Sequence, residues 1–388
     1  MAARFALSLI PRSITLMPTH GQGPIALLTA VVVSFGLTMM IRVLSFRPGG
    51  SDSSPRLGGL SLFLGLLLVV FATVPSAFTS GVNAQSRSEP LFSSAPHGAV
   101  WTTQILMWLL MLLPIFLIGL VEDLKGNLTV RLRFWVAIIV GIIFTGLGPD
   151  RVVELDLPFL KSLGTLGMIG DVISFAITTI AIAGYTHAMN IVDGLHGLAS
   201  GAAILMLIGL GVLATSVGAI DLAIIAFLIC ALSIGFFLIN FPKGSVYLGD
   251  CGAYFLGFFI AALAIALPAR HSEISPWASL VICSYPVIEV FFSIIRRWRG
   301  RGRSAGQADR LHLHSLLHRR VFRSNPKATL FILIPVSGTV LFAVIAVDQP
   351  LYLQLFFVLT VFAYVSAYRR TIRSFIASSK QARPARTS

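Results

Sequence analysis

Apolar runs of about 20 residues recur along this chain with few charges inside them, and this recurrence limits the fold more than any other feature. In hydrocarbon every backbone N–H and C=O must find its partner within the protein. A helix meets that demand locally, so the runs predict transmembrane α-helices. They begin near Pro24, Leu57, Trp101, Phe134, Ile169, Leu198, Leu222, Tyr247, Ser275, Ala328 and Leu351, with the run near Phe134 short. The expectation is an all-α, polytopic integral membrane protein of about eleven spans, forming one domain over residues 1–388. Composition agrees: 56% of residues are hydrophobic and 11% charged, and the mean hydropathy of +0.88 lies outside the range of soluble domains. The apolar stretch "FALSLI" is too short for the core of a cleavable signal, and Pro11 follows it. Cys230, Cys251 and Cys283 lie in or beside apolar segments without metal-ligand spacing, which argues against a disulfide framework or a zinc site.

A net charge of +14 admits nucleic acid as a partner until its distribution is examined. With alternating spans, 23 of the 29 Lys and Arg residues fall on one side, ten of them between Arg296 and Lys327 and six in the tail 369–388. The positive-inside rule then places that side and the C-terminus in the cytoplasm and the N-terminus outside, in the periplasm. The charge thus reports orientation and an anionic lipid bilayer, and no nucleic acid is expected. Residues 79–100 are polar and fit an external loop, as do residues 149–168, which hold Asp150, Glu154, Asp156 and Lys161. The basic stretch from Arg296 to Arg320 suits a surface-lying amphipathic helix.

Ionisable groups in such a chain are costly and point to function. They form five local patterns on the basic side. "PRLGGLSLF" carries Arg56, and "GLVEDLKGNLTVRLRF" carries Glu122 and Asp123. "MNIVDGLHGLASG" sets Asn190, Asp193 and His196 among glycines. "YLGDCGAYFLGF" places Asp250 between glycines that let a cation or phosphate approach. "ADRLHLHSLLHRR" carries His312, His314 and His318 with arginines suited to phosphate. Taken singly, Glu122–Asp123 reads as helix-end charge and Asp250 as an N-cap. Taken jointly, the five describe a metal and polyanion site on one membrane face.

The ordered stretches "PRLGG", "GLVEDL", "NIVDGLHGLA", "YLGDCGAYFLG" and "DRLHLH", spread from residue 55 to 314, resemble the polyprenyl-phosphate N-acetylhexosamine-1-phosphate transferases. That family includes the enzymes that initiate O-antigen and enterobacterial common antigen assembly and, more distantly, the translocase of peptidoglycan synthesis. The resemblance implies a bacterial inner-membrane enzyme that moves a HexNAc-1-phosphate from a UDP-HexNAc to undecaprenyl phosphate and releases UMP. It implies Mg²⁺, with Mn²⁺ as a substitute, and admits a homodimer.

By position, Glu122 and Asp123 match the family's paired aspartates, with Asp123 the first choice of base and Asp193 the second. Asp250 matches the magnesium aspartate, and Asp193 can share that metal. Asn190, His196, Arg56, Arg303, His312 and His314 are the expected substrate contacts. Three positions depart from the pattern: Glu122 replaces an Asp, His196 stands where many relatives carry a second Asp, and Ser315 stands where a further His is common. Direct displacement and a double displacement through an aspartyl-phosphate use the same residues, and both stay open. GlcNAc is the first choice of sugar, ahead of GalNAc, FucNAc and QuiNAc. A transporter is the rival reading, but it calls for ionisable groups at mid-span, and only Glu289 is a deep carboxylate.

Overall fold

The structure, a computed structural model, describes residues 22–45, 54–84, 97–157, 159–299 and 311–381. Its helices are α1 (Gln22–Leu44), α2 (Gly58–Ala84), α3 (His97–Lys125), α4 (Val130–Leu147), α5 (Met168–Val192) and α6 (Leu198–Ser216). They continue as α7 (Ile220–Asn240), α8 (Gly249–Arg270), α9 (Pro276–Ile282), α10 (Ser284–Arg299), α11 (Asn325–Ile345) and α12 (Pro350–Gln381). Among the described residues nine helices are long and apolar enough to cross a membrane, or ten if α9 and α10 form one broken span. Helix α2 adds a shorter apolar segment over Gly58–Ala72, so the eleven expected runs all emerge as helices, though not all as simple spans.

The expected span from Ser275 is the one that departs most. It breaks at Cys283 into α9 and α10, bent by 76°. Pro286 gives the reason: it has no N–H to donate to the carbonyl of Ile282, and its ring crowds that same carbonyl. Helix α10 then presents Phe291, Ile294, Ile295 and Trp298 outward and keeps Glu289 and Ser293 buried. The expected loop 79–100 is helical at both ends, over 79–84 and from His97. No surface-lying helix follows Arg299 among the described residues; Leu313–Leu316 and Leu317–Phe322 form short helical turns with Leu313, Leu316 and Leu317 buried.

Helix α8 is the axis of the fold, packed against α2, α3, α5, α6, α7 and α9. Its apolar residues surround the helix on all sides, as burial on every face requires, and Phe255, Phe258, Phe259 and Ile260 are fully inaccessible. Small residues let its neighbours come close. A Cβ on Gly59 would lie 2.1 Å from the backbone N of Gly252, and one on Gly119 would lie 2.7 Å from the Cα of Cys251. Backbone bonds from Gly58 N to Tyr247 O (3.0 Å) and from Gly59 N to Leu248 O (2.8 Å) fasten the start of α2 to the start of α8.

At the other end of the bundle, Glu154–Leu157 and Leu160–Ser162 pair as an antiparallel hairpin within the expected 149–168 loop. Trp277 Nε1 donates to Leu155 O at 2.8 Å, and Ser275 Oγ donates to Asp156 Oδ2 at 2.7 Å. Nearby Arg270 grips buried Asp150 with two 2.7 Å bonds and reaches Asp221 and Gln104 at 3.0 Å, tying α3, α7 and α8 together. The three cysteines are buried and free.

Candidate active site

The end of α8 opposite the hairpin gathers the sequence motifs. Gly249 starts the helix with a φ of +77°, a conformation that favours glycine, and a Cβ there would lie 2.4 Å from the carbonyl oxygen of Arg56. The first N–H groups of a helix lack partners within it. Asp123 supplies them: its Oδ1 accepts from Asp250 N at 2.8 Å and its Oδ2 from Cys251 N at 2.9 Å. Asp250 is therefore not the N-cap of its helix; a carboxylate 127 positions away takes that role.

Freed from capping, Asp250 pairs with Arg133. Arg133 also lies 3.9 Å from Glu122, whose Oε2 accepts from Leu128 N at 2.8 Å and so braces the turn between α3 and α4. Thr129 begins α4 by accepting from Leu132 N, which aims Arg133 back across this turn. Asp193 ends α5, its N–H donating to Met189 O at 3.1 Å. Burial first, and then the neighbouring Asp250 and Asp123 carboxylates, push the Asp193 carboxyl up to about 7. Arg56 acts in the opposite sense on Asp193.

The histidine loop closes on the same region. His312 Nδ1 lies 2.9 Å from Glu289 Oε1, which also accepts from Leu313 N at 3.2 Å. His314 stacks on His312 with ring centroids 5.4 Å apart, and its Nε2 occupies the space a Cβ on Gly194 would need. Burial pushes the His314 imidazole down to about 4, against the pull of Glu289. The deep carboxylate that a transporter reading singled out is thus an anchor for this loop.

His196 turns elsewhere. Its backbone N donates to Asn325 Oδ1 at 2.8 Å, its carbonyl accepts from Thr329, and its ring contacts Pro242 O at 3.1 Å. It lashes the 193–197 turn to α11 and to the turn before α8. Arg303 and the rest of the 300–310 stretch lie outside the described residues.

A cavity of about 1130 Å³ adjoins the cluster. Arg133, His187, Asn190, Tyr254 and His312 line it near the carboxylates, and apolar side chains of α5 and α8 carry it towards Trp277 and the hairpin. Sequence reasoning passed over Arg133, His187 and Tyr254, and also Asn240. The Oδ1 of Asn240 accepts from Gly197 N, while its Nδ2 donates to Val246 O at 2.6 Å, clamping two motif loops. Arg133 left a signal: it stands ten residues after Asp123, just beyond a short Gly-containing turn, where an antiparallel helix must bring it back.

Among the described residues no three His, Cys, Asp or Glu side chains form a ready metal cluster. Asp250 and Asp193 fit the sparser pattern of Mg²⁺, which takes one or two carboxylates and completes its shell with water and substrate phosphate. The neighbouring Asp250 and Asp123 charges, which add to burial in raising Asp193, are what a cation would offset.

The sequence is similar to those of known proteins. Residues 105–268 match the model described as glycosyl transferase family 4. The decaprenyl-phosphate N-acetylglucosaminephosphotransferase of Mycobacterium tuberculosis is 27% identical over 334 residues, covering 76% of each chain. Its Mycobacterium leprae counterpart is 28% identical over 331 residues, covering 76% of this chain and 78% of its own. The undecaprenyl-phosphate alpha-N-acetylglucosaminyl 1-phosphate transferase of Escherichia coli K12 is 24% identical over 304 residues, covering 76% of this chain and 73% of its own.

Proposed function

We propose that the chain, whose residues 105–268 match the model of glycosyl transferase family 4, transfers GlcNAc-1-phosphate from UDP-GlcNAc to a polyprenyl phosphate. The observation that carries this reading is the meeting of Asp123, Asp193, Asp250 and Arg133 at one end of α8, beside a cavity that is polar there and apolar beyond. A nucleotide-sugar needs the polar end. A lipid phosphate needs both.

In the proposed reaction an oxygen of the acceptor phosphate attacks the sugar-bearing phosphorus of the donor. The bond from that phosphorus to the bridging oxygen breaks, UMP leaves, and a polyprenyl diphosphate sugar remains. Positioning and charge neutralisation dominate such transfers. Asp250 and Asp193 would hold Mg²⁺, which would supply charge neutralisation for the pyrophosphate. Asp123 fixes Asp250 through the start of α8. Each of its oxygens accepts one N–H and keeps further lone-pair capacity, so the same carboxylate can take the acceptor's last proton. Arg133 orients Asp250, while Asn190 and His312, which line the cavity, offer polar contacts to the substrates.

The site belongs on the cytoplasmic face of a bacterial inner membrane, where a soluble nucleotide-sugar is available, and the basic loops at this end support that orientation. The product would initiate a lipid-linked glycan. The test is purified protein in nanodiscs with undecaprenyl phosphate, Mg²⁺ and a panel of UDP-HexNAc donors, scored for UMP. UMP with UDP-GlcNAc supports the reading, and no UMP with any donor overturns it.

A further inference from the structure

His187 lies on α5 one turn before Asn190, and both line the cavity near the carboxylate cluster. Its ring is held on two sides. It stacks against Phe134 with centroids 6.0 Å apart and meets Tyr254 edge-on at 5.5 Å. The Nε2 atom, by contrast, is buried and has no hydrogen-bond partner among the described residues.

A buried polar atom left without a partner is costly and calls for an explanation. Of the other ionisable groups around this cavity, Arg133 is paired with Asp250, and His312 uses its Nδ1 on Glu289. A rigid, partly buried ring with one unpartnered nitrogen suits a single oxygen of a ligand that enters between apolar walls. A nucleotide arriving from water has no need of those walls, whereas a phosphate carried on a hydrocarbon chain does.

We propose that His187 is an acceptor-binding residue, its Nε2–H donating one hydrogen bond to a phosphate oxygen of the polyprenyl phosphate. The inference rests on the transferase reading above and adds the side chain that distinguishes acceptor from donor. Phe134 and Tyr254 hold the ring, so the nitrogen is pre-positioned when the lipid arrives.

The informative variant is His187→Phe, which keeps an aromatic ring between Phe134 and Tyr254 but removes the nitrogen; His187→Asn restores a polar atom without the ring. Losing a hydrogen bond to a charged group should raise the KM for undecaprenyl phosphate by about tenfold or more in His187→Phe. The KM for UDP-GlcNAc and the melting temperature should stay near wild type, and His187→Asn should recover part of the acceptor KM. Equal rises in both KM values, or an unchanged acceptor KM in His187→Phe, would overturn the proposal.

Calorimetric binding of farnesyl phosphate, without any donor, separates this inference from the reaction it rests on. Wild-type protein that binds farnesyl phosphate more tightly than His187→Phe, yet releases no UMP from any donor, supports the acceptor site and sinks the donor reading. Equal binding by the two proteins, or no binding by wild type, sinks the inference.

Discussion

Asp123 shows how one side chain can hold two tasks, because the carboxylate that caps α8 also sets the place of Asp250. Replacing it with Asn keeps an acceptor for one N–H, loses the charge and sets an NH₂ against the other. Asp123→Asn and Asp250→Asn should each cut UMP release about a hundredfold, the scale for removing a positioned acid–base or charge-stabilising group. Transfer assays at matched expression check this; near-normal turnover in Asp250→Asn would remove it from the metal site. Asp193→Asn should be as damaging, and His196→Ala much less so, since His196 packs on the 240–247 turn and α11. His314 makes a pH prediction. Its folded value is about 4 against 6.5 for the unfolded residue, so between those values the unfolded chain holds a proton that the fold refuses. Stability should therefore be full above pH 6.5 and fall as pH drops towards 4, by about 3 kcal/mol. Melting temperatures of wild type and His314→Gln across that window check it; the variant should lose the added slope.

Among elements, the contact of α2 with α8 is the least tolerant. Gly59 meets Gly252 backbone to backbone, so any side chain there forces the helices apart. Gly59→Leu should destabilise the protein by at least the roughly 1–3 kcal/mol typical of overpacking, and should misplace Asp250 even in the folded fraction. Thermal melting together with specific activity of the surviving monodisperse protein tests both parts. Unchanged melting and activity would mean that α2 can slide without cost. The break between α9 and α10 matters in another way. By turning 76° at Cys283 it directs α10 so that Glu289 can reach His312 while Phe291 and Trp298 face outward. Glu289→Gln should then loosen the histidine loop, seen as faster proteolysis between residues 300 and 320.

At the scale of the whole molecule, the hairpin and the carboxylate cluster stand at opposite ends of a bundle threaded by one cavity. Reporter fusions after Ser388 and within residues 85–96 should give opposite signals, the first cytoplasmic; matching signals would mean a miscounted span. Gly184 lines the cavity with open space beyond it, so Gly184→Leu should raise the acceptor KM by about tenfold while sparing the donor KM.

Much of this was legible in the residues alone. Twenty-residue apolar runs can satisfy their backbone only as helices, and five ordered motifs carried both the family resemblance and the end of the bundle where ionisable groups gather. Those inferences depend on local hydrogen bonding and on transfer of apolar surface, which a contiguous stretch expresses by itself. Only the tertiary structure decided the partners. It showed that Asp123 rather than Asp250 caps α8, that Arg133 holds Asp250 across 117 positions, that Glu289 anchors His312, and that the buried Nε2 of His187 has no partner among the described residues. Each of these turns on which helices pack side by side and at what distance. Such proximity comes from small residues meeting between elements far apart in the chain, where no local periodicity records it.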